Sequence, residues 1–239
     1  MTPAEPPALV AGGTPQSGPQ ARELTVFDGD EVFSSGERCE LGRNDHRTGP
    51  TVLYRDGQRR ITYFSIYLPQ SYPLNQERWQ VVMQMKQTNP SDLMDPPSDD
   101  ARNPVLALEA YDGQWIFRNS RTQIWSAPAQ HDTWTRFAID ATYADDPAQG
   151  RVSVYVDLDN DGFVTDAYEA QEPTVGIKTL KTEIAGTRDD GLRAGDAIPS
   201  HLRMGLYHAE AEPGDPGIPC PRPTGCRIRI DNVQVVAAP

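Results

Sequence analysis

Residues 79–87 read WQVVMQMKQ, a run in which apolar and polar side chains alternate. Successive side chains of a β-strand point to opposite faces, so residues two apart share a face. On that rule Val81, Met83 and Met85 fall on one face, and Val82, Gln84 and Lys86 on the other. The same alternation recurs elsewhere. In ITYFSIYL (61–68), Phe64, Ile66 and Leu68 make an apolar face opposite Tyr63, Ser65 and Tyr67. In RCELGR (38–43), Cys39 and Leu41 look inward while Arg38 and Glu40 look out. In HLRMGLYH (201–208), Leu202, Met204 and Leu206 oppose Arg203, Gly205 and Tyr207.

Working outward from these segments, the period of two predicts strands near 23–27, 38–43, 61–68, 80–88, 105–111, 115–119, 134–143, 151–158, 202–208 and 226–236. Turn sequences such as YRDGQ, AYDGQ and DDPAQG separate them. The 22 prolines and 19 glycines are spread as punctuation through all 239 residues, which speaks against a helical bundle. Many short strands and no helical period predict an all-β fold, a jelly-roll (concanavalin-like) β-sandwich of two antiparallel sheets. We expect a flexible leader over 1–22 and a single sandwich domain over 23–239.

The hydrophobic share of 37% and the mean hydropathy of -0.59 fit a soluble globular chain. No apolar run is long enough for a transmembrane helix, so a membrane is not expected as a partner. The formal net charge of -12 disfavours nucleic acid. Only Lys86, Lys178 and Lys181 are lysines among the 22 cationic residues; the rest are arginines, which grip carboxylates in a bidentate fork. Cys220 and Cys226 bracket the loop CPRPTGC and read as a small disulfide-closed loop, which suggests an oxidising, extracellular location. Zinc is the weaker reading of these cysteines, because no second pair with ligand spacing accompanies them. The start of the chain lacks a charged region and a full apolar segment, so it is not a complete signal peptide.

If the four alternating strands lie in one sheet, their polar faces make a groove with tyrosine walls and cationic side chains. That surface suits a carbohydrate carrying carboxylates. Solvated faces are the plain alternative for any one strand, but ordinary solvent faces carry Lys, Glu, Thr and Ser rather than this set.

The segments ERCELGRND (37–45), YFSIYLPQSYP (63–73), WQVVMQMKQ (79–87), WTRFAIDATY (134–143), GRVSVYVDLDNDG (150–162) and HLRMGLYH (201–208) together resemble the heparin lyase I-like family of polysaccharide lyases. They are also similar to the jelly-roll alginate and glucuronan lyases. The resemblance implies a sheet that binds an acidic polysaccharide and cleaves it by β-elimination. The family's Arg-x-Glu signature falls on Arg38 and Glu40, with Arg43 as a further arginine. Its Gln-x-His signature falls on Gln84 and Lys86, and its Lys/Arg-x-Gly-x-Tyr signature on Arg203, Gly205 and Tyr207. Lys86 thus stands where those enzymes commonly place a histidine. His46, His131, His201 and His208 are the possible substitutes, and none falls in the matching motif.

β-Elimination on a uronate needs a partner for the carboxylate, a base for the C5 proton and an acid for the departing O4. Gln84 can polarise the carboxylate, and Arg38 and Arg203 can bind it. Tyr207 is the expected acid, and serves as base only where cations favour its phenolate. Lys86 is expected to neutralise the carboxylate, and could serve as base only where burial or nearby arginines lower its pKa. Arg43, Glu40, Tyr63 and Tyr67 complete the expected substrate contacts. Glu40 can orient Arg38 in this reading or in a purely structural one.

In DLDNDG, Asp157, Asp159 and Asp161 alternate before Gly162, as in the first half of a calcium loop. The EF-hand's closing glutamate is absent, because Tyr168 stands there. A structural calcium ion or a plain hairpin turn are the two readings. The expected whole is a secreted, monomeric lyase acting on a glucuronan- or heparin-like polymer. The alternatives are a non-catalytic carbohydrate-binding module and a glycoside hydrolase, which would need two facing carboxylates such as Glu40 and Glu109.

Overall fold

A computed structural model of the chain describes residues 21–30, 36–42, 52–88, 103–163, 173–184, 191–209 and 217–238, with the backbone of two short strands at 8–10 and 94–95. Among the described residues, seventeen strands run in chain order: β1 Ala8–Val10, β2 Ala21–Val26, β3 Gly36–Leu41, β4 Leu53–Tyr54, β5 Gln58–Tyr67, β6 Gln80–Gln87, β7 Met94–Asp95, β8 Leu106–Tyr111 and β9 Gln114–Asn119. They continue with β10 Thr122–Pro128, β11 Trp134–Tyr143, β12 Arg151–Asp157, β13 Thr174–Val175, β14 Lys181–Glu183, β15 Ala197–Ile198, β16 Ser200–Ala209 and β17 Cys226–Ala237. Among the described residues there is no helix, and none therefore that could cross a membrane.

Two large antiparallel sheets stack as a jelly-roll sandwich. The first has the order β1-β2-β17-β5-β11-β12-β13. The second runs β10-β9-β8-β6-β16-β3, with β4 paired to β16; a small sheet β15-β14-β7 lies apart. Their inner faces meet in one core that includes Phe64, Ile66, Met83, Met85, Leu106, Leu108, Trp115, Phe117, Phe137, Met204 and Leu206. Burying these faces supplies most of the driving force for folding, at about 25 cal/mol per Å² of apolar surface.

All ten expected strands are present within a few residues of their predicted bounds. The AYDGQ turn joins β8 to β9 with Asp112 and Gly113 both at positive φ, 46° and 74°, the backbone of a tight hairpin turn whose twist matches the flanking strands. Of the stretch read as a leader, Ala8–Val10 form β1 and Ala21 opens β2; the rest up to residue 20 lies outside the described residues.

Two expectations are corrected. The four alternating strands do not share a sheet: β3, β6 and β16 do, whereas β5 pairs with β11 and β17 in the other one. In WQVVMQMKQ the alternation slips. A β-bulge in β6 sets Val81 opposite Glu109 of β8 and Tyr207 of β16, while Met83 pairs with Leu108 and Met204. An extra residue on one strand reverses parity beyond it. Val82 therefore joins the core, and Val81 stands on the outer face with Gln84.

Candidate active site

The outer face of the second sheet collects the polar series of β3, β16 and β6, because residues directly opposite in an antiparallel pair share a face. Tyr207 lies opposite Arg38, Gly205 opposite Glu40, Arg203 opposite Gln84, and His201 opposite Lys86. Gly205 is required here. Its φ is +155°, and a Cβ would lie 2.1 Å from the Cys39 carbonyl oxygen, so any side chain would push β3 away. The gap between Arg203 and Tyr207 is thereby filled from the neighbouring strand by Glu40.

Glu40 is the hub. Gln84 Nε2 donates to its Oε1 at 2.5 Å. The guanidinium groups of Arg38 and Arg203 each stand 3.6 Å from its Oε2. All three charged side chains are largely buried, at 16%, 11% and 7% exposure for Arg38, Arg203 and Glu40. Among the described residues, Oε2 accepts no hydrogen bond, since both arginines hold back beyond hydrogen-bond distance. Burial pushes the Arg203 guanidinium below its ordinary value; Glu40 opposes that shift and Arg38 adds to it. The Arg38 guanidinium also covers the Tyr207 ring at 3.9 Å, and Trp79 meets that ring edge-on at 4.8 Å.

Arg38, Glu40, Gln84, Arg203 and Tyr207 are therefore brought together, with Lys86 on the same face two residues beyond Gln84. Glu40, which could orient Arg38 on the sequence reading, stands at the centre of Arg38, Gln84 and Arg203. Arg43 lies outside the described residues.

Tyr63 and Tyr67 are not part of this cluster. Their strand, β5, belongs to the first sheet, whose outer face is on the far side of the core. Tyr67 donates its hydroxyl to Asp132 at 3.1 Å and lies beneath Arg229, while Tyr63 packs against Phe163.

Of the histidines, His131 Nε2 bonds the Tyr72 carbonyl at 2.8 Å, away from the cluster. His208 is buried on the core side of β16, 3.3 Å from Cys220 Sγ, and burial lowers its pKa. His46 lies outside the described residues. His201, by contrast, shares the site face and accepts the Arg203 Nε–H at 3.2 Å. Trp79 is the neighbour that sequence reading missed, hidden by the bulge in β6. His201, named there only as a possible substitute outside the motif, joins the site face by the parity it shares with Arg203 and Tyr207.

Further along the same face, Glu109 pairs with Arg118 at 2.8 Å; burial raises the Glu109 pKa, and Arg118 opposes that shift. Cys220 and Cys226 form the expected disulfide, and Cys39 is a buried thiol outside it. The carboxylates of Asp157, Asp159 and Asp161 converge within 4.8 Å. Both oxygens of the buried Asp157 are already engaged, by Arg136 Nη1 at 2.8 Å and by the Asn160 N–H at 2.7 Å. A guanidinium thus supplies the positive charge at the buried end of this turn.

A sequence model described as polysaccharide lyase matches residues 14–223. No curated protein matches the chain in sequence. Among solved structures, the chain is similar to endo-beta-1,4-glucuronan lyase from the fungus Trichoderma reesei (TM-score 0.61, 14% identity, 97% of this chain and 87% of that one). It is also similar to the catalytic domain of the glycoside hydrolase family 131 protein from Coprinopsis cinerea (TM-score 0.56, 13% identity, 98% and 78% covered). A third is the marine PL-14 alginate lyase from Aplysia kurodai (TM-score 0.53, 9% identity, 96% and 87% covered). At these identities the likeness is one of fold.

Proposed function

This chain belongs to the polysaccharide lyase family, and from that membership we propose that it is a secreted enzyme cleaving a uronic-acid polymer by β-elimination at the Glu40 cluster. The observation that carries this reading is a convergence: the Arg38 and Arg203 guanidinium groups each stand 3.6 Å from the Glu40 carboxylate, beside the Tyr207 ring and on one face with Lys86. A guanidinium offers five N–H donors in a fork, and that fork suits the carboxylate of the substrate.

In this scheme Arg38 and Arg203 grip the uronate carboxylate and stabilise the charge that develops when C5 loses its proton, and Lys86 adds a third cation. The Gln84 amide is held against Glu40 and fixes the floor. Tyr207, with Arg38 over its ring, takes the C5 proton as phenolate. The freed electron pair forms the C4=C5 double bond, the C4–O4 bond breaks, and Tyr207 returns the proton to O4. No water is consumed. A hydrolase would instead need two poised carboxylates; Glu40 and Glu109 are each tied to arginine.

An unsulfated glucuronan is the favoured substrate, and a heparin-type chain the less favoured one. A chain of net charge -12 with three lysines suits a plain uronate better than a dense row of sulfates, and the structural likeness to a glucuronan lyase supports the same choice. The Cys220–Cys226 disulfide supports secretion. A calcium ion at the Asp157 turn would be structural, because that turn follows β12 in the first sheet.

Incubation with glucuronan, alginate and heparin, followed by ultraviolet absorbance of unsaturated ends, tests the reading. Glucuronan should give the fastest rise. No rise on any of the three would overturn it.

A further inference from the structure

His201 is a buried imidazole, 2% exposed, on the site face of β16. Its Nε2 accepts the Nε–H of Arg203 at 3.2 Å. An acceptor at Nε2 requires a neutral ring with its proton on Nδ1. The bond fixes one edge of the Arg203 guanidinium, so the Nη groups turn toward Glu40, where Nη1 stands 3.6 Å from Oε2. Arg203 has several rotatable bonds and would otherwise lose considerable freedom on binding a carboxylate.

We propose that His201 is a positioning residue for Arg203: its neutral imidazole pre-aims the guanidinium that receives the substrate carboxylate. The inference rests on the lyase reading for its activity arm. It makes substrate affinity depend on one proton. Protonation of Nε2 removes the acceptor and sets a third positive charge between Arg203 on its own strand and Lys86, directly opposite on β6. On the other side β4 contributes Leu53 opposite the ring, with Tyr54 beside it, and no charge. Glu40 is the carboxylate that Arg203 faces.

Two variants separate aiming from simple packing. His201→Leu fills space without an acceptor. His201→Gln restores an acceptor that does not titrate. With glucuronan as substrate, His201→Leu should raise KM about tenfold with little change in kcat, the worth of one hydrogen bond to a charged group. His201→Gln should recover most of that loss. It should also abolish the acid limb that the proposal predicts for the wild type where imidazoles titrate. Equal KM in the two variants, or an unchanged acid limb in His201→Gln, would overturn the proposal.

Ring-nitrogen NMR of the full chain needs no substrate and keeps the two readings apart. The Nδ1–H tautomer with an accepting Nε2 is expected, and an Nε2–H tautomer would overturn the proposal whatever the enzyme does. Absence of unsaturated product from the wild type would instead sink the lyase reading and leave this NMR result to decide on His201.

Discussion

The outer faces of the two sheets carry nearly the same residue types and differ in how their charges are matched. On the first sheet three arginines hold a carboxylate at hydrogen-bond distance: Arg59 with Asp140 at 2.7 Å, Arg136 with Asp157 at 2.8 Å, Arg229 with Glu23 at 3.0 Å. Tyrosines lie among them, as Tyr67 lies under Arg229. On the second sheet Arg38 and Arg203 divide one carboxylate between them, at 3.6 Å, beside Tyr207 and Lys86. An arginine that holds a carboxylate at hydrogen-bond distance is committed to it. Two that stand farther from theirs, beside a phenol, suit the carboxylate and the proton transfer of a uronate elimination. Composition alone does not separate the two regions; the closeness of the pairs does.

The comparison breaks most visibly at the tyrosines. Tyr207→Phe keeps the ring against Trp79 and Arg38 but removes the hydroxyl, and kcat should fall about a thousandfold, within the range for general acid–base groups. Tyr67→Phe on the first sheet should change kcat by less than about twofold, as surface substitutions do. Similar losses in both would erase the distinction. Next come the arginines. Arg203→Ala should lower kcat/KM about a hundredfold, the worth of an electrostatic stabiliser.

Arg136→Ala sharpens the contrast from the other side. It strips the partner from Asp157, whose side chain is fully buried, while Arg136 itself is 34% exposed and partly screened. A loss of about 1–2 kcal/mol in urea unfolding is expected, with kcat unchanged.

A smaller effect lies one residue beyond Tyr207, on the inward side of β16. Burial holds His208 below its ordinary value of 6.5. The unfolded chain therefore takes up that proton first. The stability owed to neutral His208 is complete above pH 6.5 and is lost as pH falls from 6.5 toward the depressed folded value. His208→Gln should flatten the pH dependence of Tm across that window; an unchanged slope would show that His208 is not responsible.

Most of the fold was legible because period-two alternation reports burial directly, and burial decides strand faces. Phe64, Ile66, Leu68, Met204 and Leu206 all went to the core as their parity demanded. What alternation does not report is which sheet a strand joins. That depends on pairing between residues far apart in sequence, and Tyr63 and Tyr67 were grouped with Tyr207 for that reason. Nor does it survive a bulge, which is why Val81 and Val82 exchanged faces. The convergence of Arg38, Gln84 and Arg203 was readable from their shared parity; the choice of Glu40 as their common anchor was not, because Gly205 brings β3 close across the strand gap.

The most direct test of the proposed elimination is the mass of the fragments released from glucuronan. Elimination at the Glu40 cluster predicts oligosaccharides lighter by one water than hydrolytic fragments of the same length, formed by the wild type and lost in Tyr207→Phe. Fragments of full hydrolytic mass would contradict the account.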